Sequence, residues 1–516
     1  MRSTRTSRRR FARVGGLLGA TSLAAFVCGA VAVRAEDDAE AAKAKPKKPS
    51  IVFAADDGVH GPAMWITDGT PSGTKFLADI NPGPGRADIN QIARLKKGVV
   101  IFSAKDFDAP APHGDELWIT DGTPKGTKLL KDIEPGPIGS NIGWLTPVGG
   151  GKAMFKADTT VEGGELWITD GTSKGTRLVK DIFPGRYIDP LAGERANSGT
   201  PWQITAIGGG SAIFRAQAAM NDTEAWVSDG TPEGTKLLKA INPTGGSGAR
   251  DFVALGDGRT TFSATDGANG GELYVTDGTT SGTKLVKDIN PGSGGSSVGG
   301  LFFGEMGLLK KGRIVFSAFT PDKGAELWTS DGTANGTKLV KEIDDGLESW
   351  GDPASSDVQN IAAMGDGRAL FAASDGGQNF ELWITDGKGK GTKLVKDINP
   401  GSAVGSGPKG FAPIGKGRFL FAATDAARGR ELWVTDGTSK GTKLVKDIAP
   451  GAASGMASTP RFLPLGDGRA IFAADDGAKG LELWVSDGAA KGTKLLKDIN
   501  KGSGSSSPTS FTSLGD

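Results

Sequence analysis

Two histidines are the first residues of this chain that suggest chemistry. His60 and His113 are its only histidines, and each stands five residues before a tryptophan that recurs along the sequence. Two imidazoles could hold a transition metal such as zinc. They occupy equivalent loops in neighbouring repeats, however, and related turns of adjacent repeats need not lie close together. The sequence therefore predicts no metal site at this pair.

Aspartates in turns are the second candidate, because carboxylates bind Ca²⁺. An Asp-Gly pair stands three residues after every recurring aromatic, and Asp56–Gly58 and Asp475–Gly477 add further carboxylates. Calcium takes about six to eight oxygen ligands, and these turns lack that density. An Asp that accepts a backbone N–H two residues on, followed by a glycine free to take positive φ, is turn chemistry. We predict structural turns and no cofactor, with Ca²⁺ as the alternative.

Glutamates two residues before the recurring aromatic are the third candidate. They occur in eight copies, from Glu116 to Glu482. A catalytic carboxylate should be unique to one place, so this recurrence indicates a role in the scaffold. The chain contains no nucleophile elbow, Cys-His pair, phosphate loop or zinc motif. No catalytic residue is predicted.

All of these residues belong to one unit that is repeated nine times. Its anchor is an aromatic residue, and the eight intervals from Trp65 to Trp484 average about 52 residues. The anchors are Trp65, Trp118, Trp167, Trp226, Tyr274, Trp328, Trp383, Trp433 and Trp484. A phenylalanine stands twelve residues before the anchor in eight copies, and in the other copy Phe102 stands sixteen before it. This period is typical of β-propeller blades.

The fifth copy shows the elements expected in each unit. Short β-branched and aromatic runs alternate with Gly, Asp and Pro clusters, and no sustained helical period is present. The predicted strands are Phe252–Leu255, Arg259–Ala264, Glu272–Thr276 and Thr283–Ile289. Four short antiparallel strands make one blade, so the predicted class is all-β. The fold expected for residues 51–516 is a single propeller domain.

The two ends of this domain predict how the array closes. The first unit begins at Ile51–Ala54, its second strand, and Ser510–Asp516 matches the strand that is missing before it. Pairing of these segments would complete a ninth blade and remove exposed sheet edges. We predict a ring closed by the terminal strands, with an open or split array as the alternative.

The first 35 residues resemble an export signal. They hold seven arginines and no acid, and Ser7–Phe11 is similar to the twin-arginine motif before an apolar stretch. Cleavage after Ala32 or Ala35 would leave residues 36–50 as a charged Lys/Pro linker, and an uncleaved membrane anchor is the alternative. The predicted location is the periplasm or the cell exterior.

Removal of the signal changes the charge of the chain. With cutting after Ala35, 53 basic residues would face 59 acidic ones, a net charge of about −6 rather than +1. Nucleic acid and anionic lipid both call for a basic face. We therefore predict no nucleic-acid partner and no membrane span after cleavage. The mature chain, expected to be a monomer, would also lose Cys28, its only cysteine.

Two family resemblances follow from the repeat. The run Glu116–Thr123, ELWITDGT, and its copies resemble the bacterial ELWxxDGT repeat proteins over roughly residues 51–516. That resemblance implies an exported, repeat-built β protein without an established activity. Ala423–Trp433 is similar to the tryptophan-docking motif of quinoprotein propellers. It implies that the tryptophan packs on the neighbouring blade, and the vicinal cysteine pair often present there is missing.

Function in a propeller is expected where the copies differ. The longest departures are Phe183–Pro201 and Asp344–Asp357, which both follow a fourth strand and should emerge on the same face. The candidate binding residues in or beside them are Arg186, Tyr187, Trp202 and Trp350. We predict an exported, non-catalytic scaffold or binding module for a protein or glycan partner. The alternative is a periplasmic propeller hydrolase or lyase with a site at the central channel.

Overall fold

The computed structural model describes residues 50–515 apart from 84, 192, 299–305, 349–350, 377–378 and 402–404. The predicted signal peptide and nearly all of the predicted linker, residues 1–49, lie outside the described residues, as does Asp516. Within the described ranges, no helix has the length and apolar character needed to cross a membrane.

The described chain forms nine four-stranded antiparallel sheets, which are the blades of a β-propeller. We number the strands in chain order and the blades from the one that contains β1. The first strands of the blades are β38 (Thr509–Ser513) in blade 1, then β4 (Asn90–Lys96), β8 (Gly143–Gly149), β14 (Trp202–Gly208), β18 (Arg250–Ala254), β22 (Met306–Lys310), β26 (Gln359–Ala363), β30 (Lys409–Pro413) and β34 (Phe462–Pro464). The second strands are β1 (Ile51–Asp56), β5 (Val99–Lys105), β9 (Lys152–Thr159), β15 (Ser211–Gln217), β19 (Thr260–Thr265), β23 (Arg313–Thr320), β27 (Ala369–Ser374), β31 (Phe419–Asp425) and β35 (Ala470–Asp475).

The outer half of each blade follows the same order. The third strands, which carry the anchors, are β2 (Pro62–Thr67), β6 (Asp115–Thr120), β10 (Gly163–Thr169), β16 (Thr223–Ser228), β20 (Gly271–Thr276), β24 (Gly324–Ser330), β28 (Phe380–Thr385), β32 (Gly429–Thr435) and β36 (Leu481–Ser486). The fourth strands are β3 (Lys75–Ala78), β7 (Lys128–Lys131), β11 (Arg177–Lys180), β17 (Lys236–Lys239), β21 (Lys284–Lys287), β25 (Lys338–Lys341), β29 (Lys393–Lys396), β33 (Lys443–Lys446) and β37 (Lys494–Lys497). Short 3-10 turns occur at Gly389–Gly391 and Ala490–Gly492.

The ring is closed by the pairing that the sequence predicts. Strand β38 pairs antiparallel with β1, with Ile51 opposite Ser513 and Ala54 opposite Thr509. Each first strand contacts the first strand of the next blade, from β38 and β4 round to β34 and β38. The first strands therefore surround the ring axis and line the central channel, and the nine-bladed closed propeller is confirmed.

The fifth blade differs from its prediction mainly in its last strand. Strand β21 ends at Lys287 rather than continuing to Ile289. The cause is Glu272, which is fully buried and accepts the backbone N–H of Ile289 at 3.0 Å. The strand ends here because the backbone N–H of Ile289 donates to this carboxylate instead of to a neighbouring strand.

The same contact explains why the glutamate recurs. Glu116 accepts backbone N–H groups from Ile133 at 2.9 Å and Glu134 at 3.1 Å, and the Ser140 hydroxyl at 2.8 Å. Equivalent bonds fix the connection after each fourth strand in the other copies that carry the glutamate. The recurring glutamates thus hold the chain where it passes from one blade to the next.

The hydrophobic cores lie between blades. Each anchor pairs in register with the phenylalanine of its own blade, as Trp167 does with Phe155. Trp167 and Phe155 then share a buried cluster with Leu117 and Ile133 of the preceding blade. Nine such clusters join the nine blades pairwise around the described ring.

A lysine at the end of the fourth strand links adjacent blades. Lys131 Nζ donates to the carbonyl of Thr176 in the next blade at 2.9 Å and lies 5.9 Å from the Trp167 ring centroid. The same bond recurs between other neighbouring blades. The anchor is therefore packed by aliphatic side chains and covered by a cation from the preceding blade.

The Asp-Gly turns are built as expected. Asp121 Oδ1 accepts the backbone N–H of Thr123 at 2.9 Å and its hydroxyl at 2.6 Å, while Gly122 has φ of 83°. A side chain at Gly126 would collide with the Asp121 carboxylate. The absence of a side chain at Gly126 therefore makes room for the carboxylate that caps the turn.

Strand order divides the loops between two faces of the ring. The Asp-Gly turns and the turns between first and second strands lie on one face. The loops between second and third strands, and the connections from a fourth strand to the next blade, lie on the opposite face. We call this the connection face. Both Phe183–Pro201 and the described part of Asp344–Asp357 belong to it, as predicted from their positions in the repeat.

Candidate functional site

The structure separates the predicted binding residues. Arg186 and Tyr187 lie on an extra hairpin, β12 (Arg186–Asp189) and β13 (Gly193–Ala196), in a segment predicted to be a loop. Tyr187 is 44% exposed, and the Arg186 Nε lies 3.4 Å from Glu194 Oε1. Trp202 is the first residue of β14, which lines the channel. Trp350 lies outside the described residues.

An irregularity at the start of the first strands places side chains at the channel mouth. One residue there has positive φ, and the register with the second strand shifts around it, as at Gln203 with φ of 52°. The other residues in this position are Gln91, Trp144, Asp251, Asn360, Gly410 and Ser510. This conformation costs about 1–3 kcal/mol for a residue other than glycine. In blades 3, 4 and 5 the strained residues are Trp144, Gln203 and Asp251, and Gln203 is hydrogen-bonded to Asp251.

The residue immediately before this position is singular in blade 4. In the described first strands with this irregularity, the position carries Asn90, Gly143, Trp202, Arg250, Gln359, Lys409 and Thr509. Trp202 is the one aromatic residue among them, and it is 38% exposed. An exposed tryptophan at a position otherwise occupied by polar or small residues indicates a local function rather than a repeat-wide one.

Trp202 is held by a cation and a second indole. The Arg215 guanidinium, opposite it in β15, lies 4.2 Å from the ring centroid. The Trp144 ring of blade 3 meets Trp202 edge-on, with centroids 5.1 Å apart and an interplanar angle of 81°. Burial lowers the pKa of Arg215, and the charge of Arg250 adds to the effect. Since arginine keeps its proton at any physiological pH, this site holds a partly desolvated cation on an aromatic face.

A carboxylate completes the group on the other side. Asp251 accepts Gln203 Nε2 at 3.2 Å through Oδ1, and its backbone N–H donates to Gln203 Oε1 at 2.7 Å. The Asp251 side chain is 9% exposed, and its Oδ2 lies 3.4 Å from Arg250 Nε. Within the described residues this Oδ2 accepts no hydrogen bond. Burial raises the pKa of Asp251, although Gln203 and the two arginines lower it.

We call these six residues of blades 3, 4 and 5 the channel-mouth cluster: Trp144, Trp202, Gln203, Arg215, Arg250 and Asp251. It contains two cations and one anion beside a partly exposed indole pair. In such a set the guanidinium of Arg250 can bind a negatively charged group of a ligand. The tryptophan rings can pack against a flat apolar surface of the same ligand. Trp202 alone was predictable from the sequence, because the others come together only across blade boundaries.

A cavity of about 430 Å³ adjoins the cluster at Arg250. It opens on the connection face over blade 5, between the loops that precede β18 and follow β21. Besides Arg250, its walls are small residues, among them Ser263, Thr265, Gly271, Ser293 and Ser297. Its volume falls in the range of about 300–1,000 Å³ usual for small-molecule sites.

The two histidines lie in separate loops of the connection face. His60 Nδ1 pairs with Asp57 Oδ2 at 2.9 Å, and His113 Nδ1 pairs with Asp106 Oδ2 at 2.7 Å. The bond to the aspartate raises the pKa of each histidine. In the ranges that the structure describes, no three His, Cys, Asp or Glu side chains are grouped to hold a metal ion.

Comparisons with known proteins give remote structural likenesses. No family model and no curated protein matches the chain. A mutant puromycin hydrolase, solved in complex with PGG, is 15% identical over 79% of this chain and 53% of its own, with a TM-score of 0.36. A puromycin-hydrolysing peptidase of Mycobacterium tuberculosis is 12% identical over 70% of this chain and 54% of its own, with a TM-score of 0.37.

A prolyl endopeptidase structure is similar at the same level. It is 11% identical over 77% of this chain and 54% of its own, with a TM-score of 0.38. The match to this chain thus covers about half the length of each of these three proteins. At such identities and TM-scores the likeness says nothing about activity or substrate.

Proposed function

We propose that this chain is an exported, non-catalytic binding module of the ELWxxDGT repeat type, and that its ligand occupies the channel-mouth cluster. The observation that carries the proposal is Trp202, exposed at the channel mouth and stacked under Arg215. The residues that recur among the repeats form the turns, pack the blades together and hold the connections between blades. Recognition is expected where one blade departs from the others.

The cluster is ordered before a ligand arrives. Arg215 and Trp144 restrict the Trp202 ring, and Gln203 restricts Asp251 through two hydrogen bonds. A side chain that is already fixed loses less conformational entropy on binding. Tryptophan and arginine are also the residues that most often dominate binding energies. A cluster of this composition is therefore suited to binding without a rearrangement of the ring.

The charge of the cluster indicates the ligand class. Two arginines face one carboxylate, so the cluster carries a net positive charge while the predicted mature chain is acidic overall. A ligand with carboxylate groups and a flat apolar surface fits both features. Acidic glycans and acidic peptides share this chemistry, in keeping with a glycan or protein partner.

Calorimetric titration tests the proposal. The purified chain is titrated with oligogalacturonate and with oligoglutamate at low and high salt. Trp202→Ala should weaken binding at least tenfold for whichever of the two probes the wild type binds. Phe76→Ala removes an aromatic side chain that is also 38% exposed, on the outer strand of blade 1, and should leave binding unchanged. Equal binding by wild type and Trp202→Ala would refute the proposal.

The hydrolase or lyase alternative has one observation in its favour, which is Asp251. A buried carboxyl with a raised pKa can act as a general acid. The charged groups that act on it are Arg250 and Arg215, rather than the second carboxylate that most glycosidases need. Release of reducing ends from an oligosaccharide by wild type, lost in Asp251→Asn, would establish the alternative.

A further inference from the structure

Gly271 of blade 5 leaves the cavity beside Arg250 open. A Cβ built on Gly271 meets no atom within 4 Å. Blade 3 also carries a glycine three residues before its anchor, Gly164, but there the side chains of Asp158 and Lys156 take up the space. The same position of blades 7, 8 and 9 supplies a large side chain: Phe380, Arg430 and Leu481. Blade 5 therefore keeps free a space that these blades fill.

We propose that this cavity is a second subsite, and that the ligand is an acidic glycan longer than one sugar unit. The inference rests on the proposed function, because it extends the channel-mouth cluster into the cavity through Arg250. One unit of the glycan packs on Trp202, its carboxylate pairs with Arg250, and the next unit enters the cavity. Arg250 belongs to both places, since it pairs with Asp251 and also lines the cavity.

The walls of the cavity favour a sugar over a peptide side chain. They carry the hydroxyls of Ser263, Thr265, Ser293 and Ser297 together with backbone of several glycines. Among the lining residues the largest apolar side chain is that of Ala264. Peptide anchors gain their energy by filling apolar pockets, whereas sugar hydroxyls need donors and acceptors. This cavity supplies the second kind of contact.

Arg250, between the cluster and the cavity, selects a charged sugar for the unit that packs on Trp202. Its side chain is 46% exposed, so one side of the guanidinium remains open to a ligand while the other faces Asp251. A planar guanidinium binds a carboxylate through two parallel hydrogen bonds. A uronic acid unit presents both this carboxylate and the ring hydroxyls that the cavity walls require.

Filling the cavity tests the inference with little risk to folding. Gly271→Leu introduces the residue that blade 9 carries at Leu481, at a glycine without positive φ and with open space at its Cβ. The matched control is Gly376→Leu, another glycine without positive φ whose Cβ would meet no atom within 4 Å, in blade 7. Melting temperatures check that both variants keep the fold.

The probes are galacturonic acid, its trimer and triglutamate, measured by calorimetry. Wild type and Gly376→Leu should bind the trimer at least tenfold more tightly than the monomer. Gly271→Leu should bind both equally, and Trp202→Ala should weaken both.

Three results would overturn the inference. If Gly271→Leu keeps the preference for the trimer while Trp202→Ala weakens binding, the subsite is wrong and the proposed function stands. If triglutamate binds as tightly as the trimer and is equally sensitive to Gly271→Leu, the ligand is an acidic peptide. If wild type binds none of the probes, both proposals fall.

Discussion

Lys497 of the last blade donates from Nζ to the backbone carbonyl of Thr74 in the first blade, at 2.8 Å. The same bond joins other neighbouring blades, so the junction beside the two ends of the described domain has the same link as the others. It differs in one respect, because blade 1 takes its first strand, β38, from the far end of the domain.

Loss of β38 should open the ring. Deleting residues 508–516 removes the strand that pairs with β1 and contributes Phe511 and Leu514 to the neighbouring cores. We expect a lower melting temperature and a broader transition, measured by calorimetry. Deletion of residues 1–49, which precede β1, is the control and should leave the transition unchanged. A truncated ring that melts like the full one would contradict the role of β38.

The Asp-Gly turns should contribute to stability without metal. Asp436 Oδ1 accepts the backbone N–H of Thr438 at 2.9 Å, and its loss should cost about 0.5–2 kcal/mol of unfolding free energy. Urea denaturation of Asp436→Ala measures the cost, and Asp345→Ala, at an exposed loop aspartate, should cost less. Calorimetric Ca²⁺ binding with a stoichiometry near nine would show that the turns are metal sites instead.

Stability should fall as pH rises from about 4.5 to about 8. Burial raises the pKa of Glu165 to about 8 and that of Glu116 to about 7, from an ordinary value of 4.5. The unfolded chain then loses these protons at lower pH than the folded chain. Their contribution is complete below about pH 4.5 and is lost as pH rises through 7 and 8. Thermal melts at pH 5, 7 and 9 measure this fall.

The turn aspartates act in the opposite direction. The Thr438 hydroxyl lowers the pKa of Asp436 below 3.8, so its contribution is present above that pH and is lost in stronger acid. These two kinds of group together stabilise the fold most between about pH 3.8 and pH 4.5. Glu165→Gln should flatten the fall in stability toward pH 8, because the amide does not titrate. A melting temperature that increases from pH 5 to pH 9 would contradict the assignment.

Binding of an anionic ligand should strengthen as pH falls. Burial raises the pKa of Asp251 above its ordinary value of 3.8. On protonation the carboxyl stops competing with the ligand for Arg250, whose Nε lies 3.4 Å away. Affinity for trigalacturonate, measured stepwise as pH is lowered from 7, follows the effect, and Asp251→Asn should bind tightly with little dependence on pH. Wild-type affinity that falls with pH would refute this role for Asp251.

The hairpin should make a smaller contribution to binding than the channel mouth. Tyr187 is exposed on β12, outside the channel-mouth cluster, so Tyr187→Ala should weaken binding by a small factor and leave the melting temperature unchanged. The same titration applied to Trp350→Ala tests the remaining predicted residue. If Tyr187→Ala weakens binding more than Trp202→Ala does, the ligand site lies on the hairpin.

Local sequence rules predicted the parts of the fold that repeat. The turn at Asp121 and Gly122 is predictable because its capping hydrogen bond joins residues only two positions apart in the sequence. The bond from Lys131 to Thr176 crosses a blade boundary and joins residues far apart in the sequence. In the sequence alone, a lysine at the end of a strand cannot be distinguished from an ordinary solvated charge. The hairpin at Arg186–Ala196 was missed because its short strands are polar and mostly exposed.

The candidate site was predictable only in part. Trp202 departs from the repeat and was found for that reason. Arg215 and Asp251 occupy positions that also vary in the other blades, and nothing in their local sequence shows that they meet around Trp202 and Gln203. Their grouping depends on the register shift at Gln203 and on the angle between adjacent blades, which arise from packing.

The pairwise cores between blades have a consequence for how such a chain can change over generations. Each interface is made of the same parts, an anchor, a phenylalanine and the aliphatic residues of the preceding blade, so a duplicated or deleted repeat inserts or removes one complete interface. A ring with one blade more or fewer would need only a small change in the angle at every junction. Blade number is then open to drift by unequal recombination, while the substitutions that make one blade unlike its neighbours can accumulate without loss of the toroid.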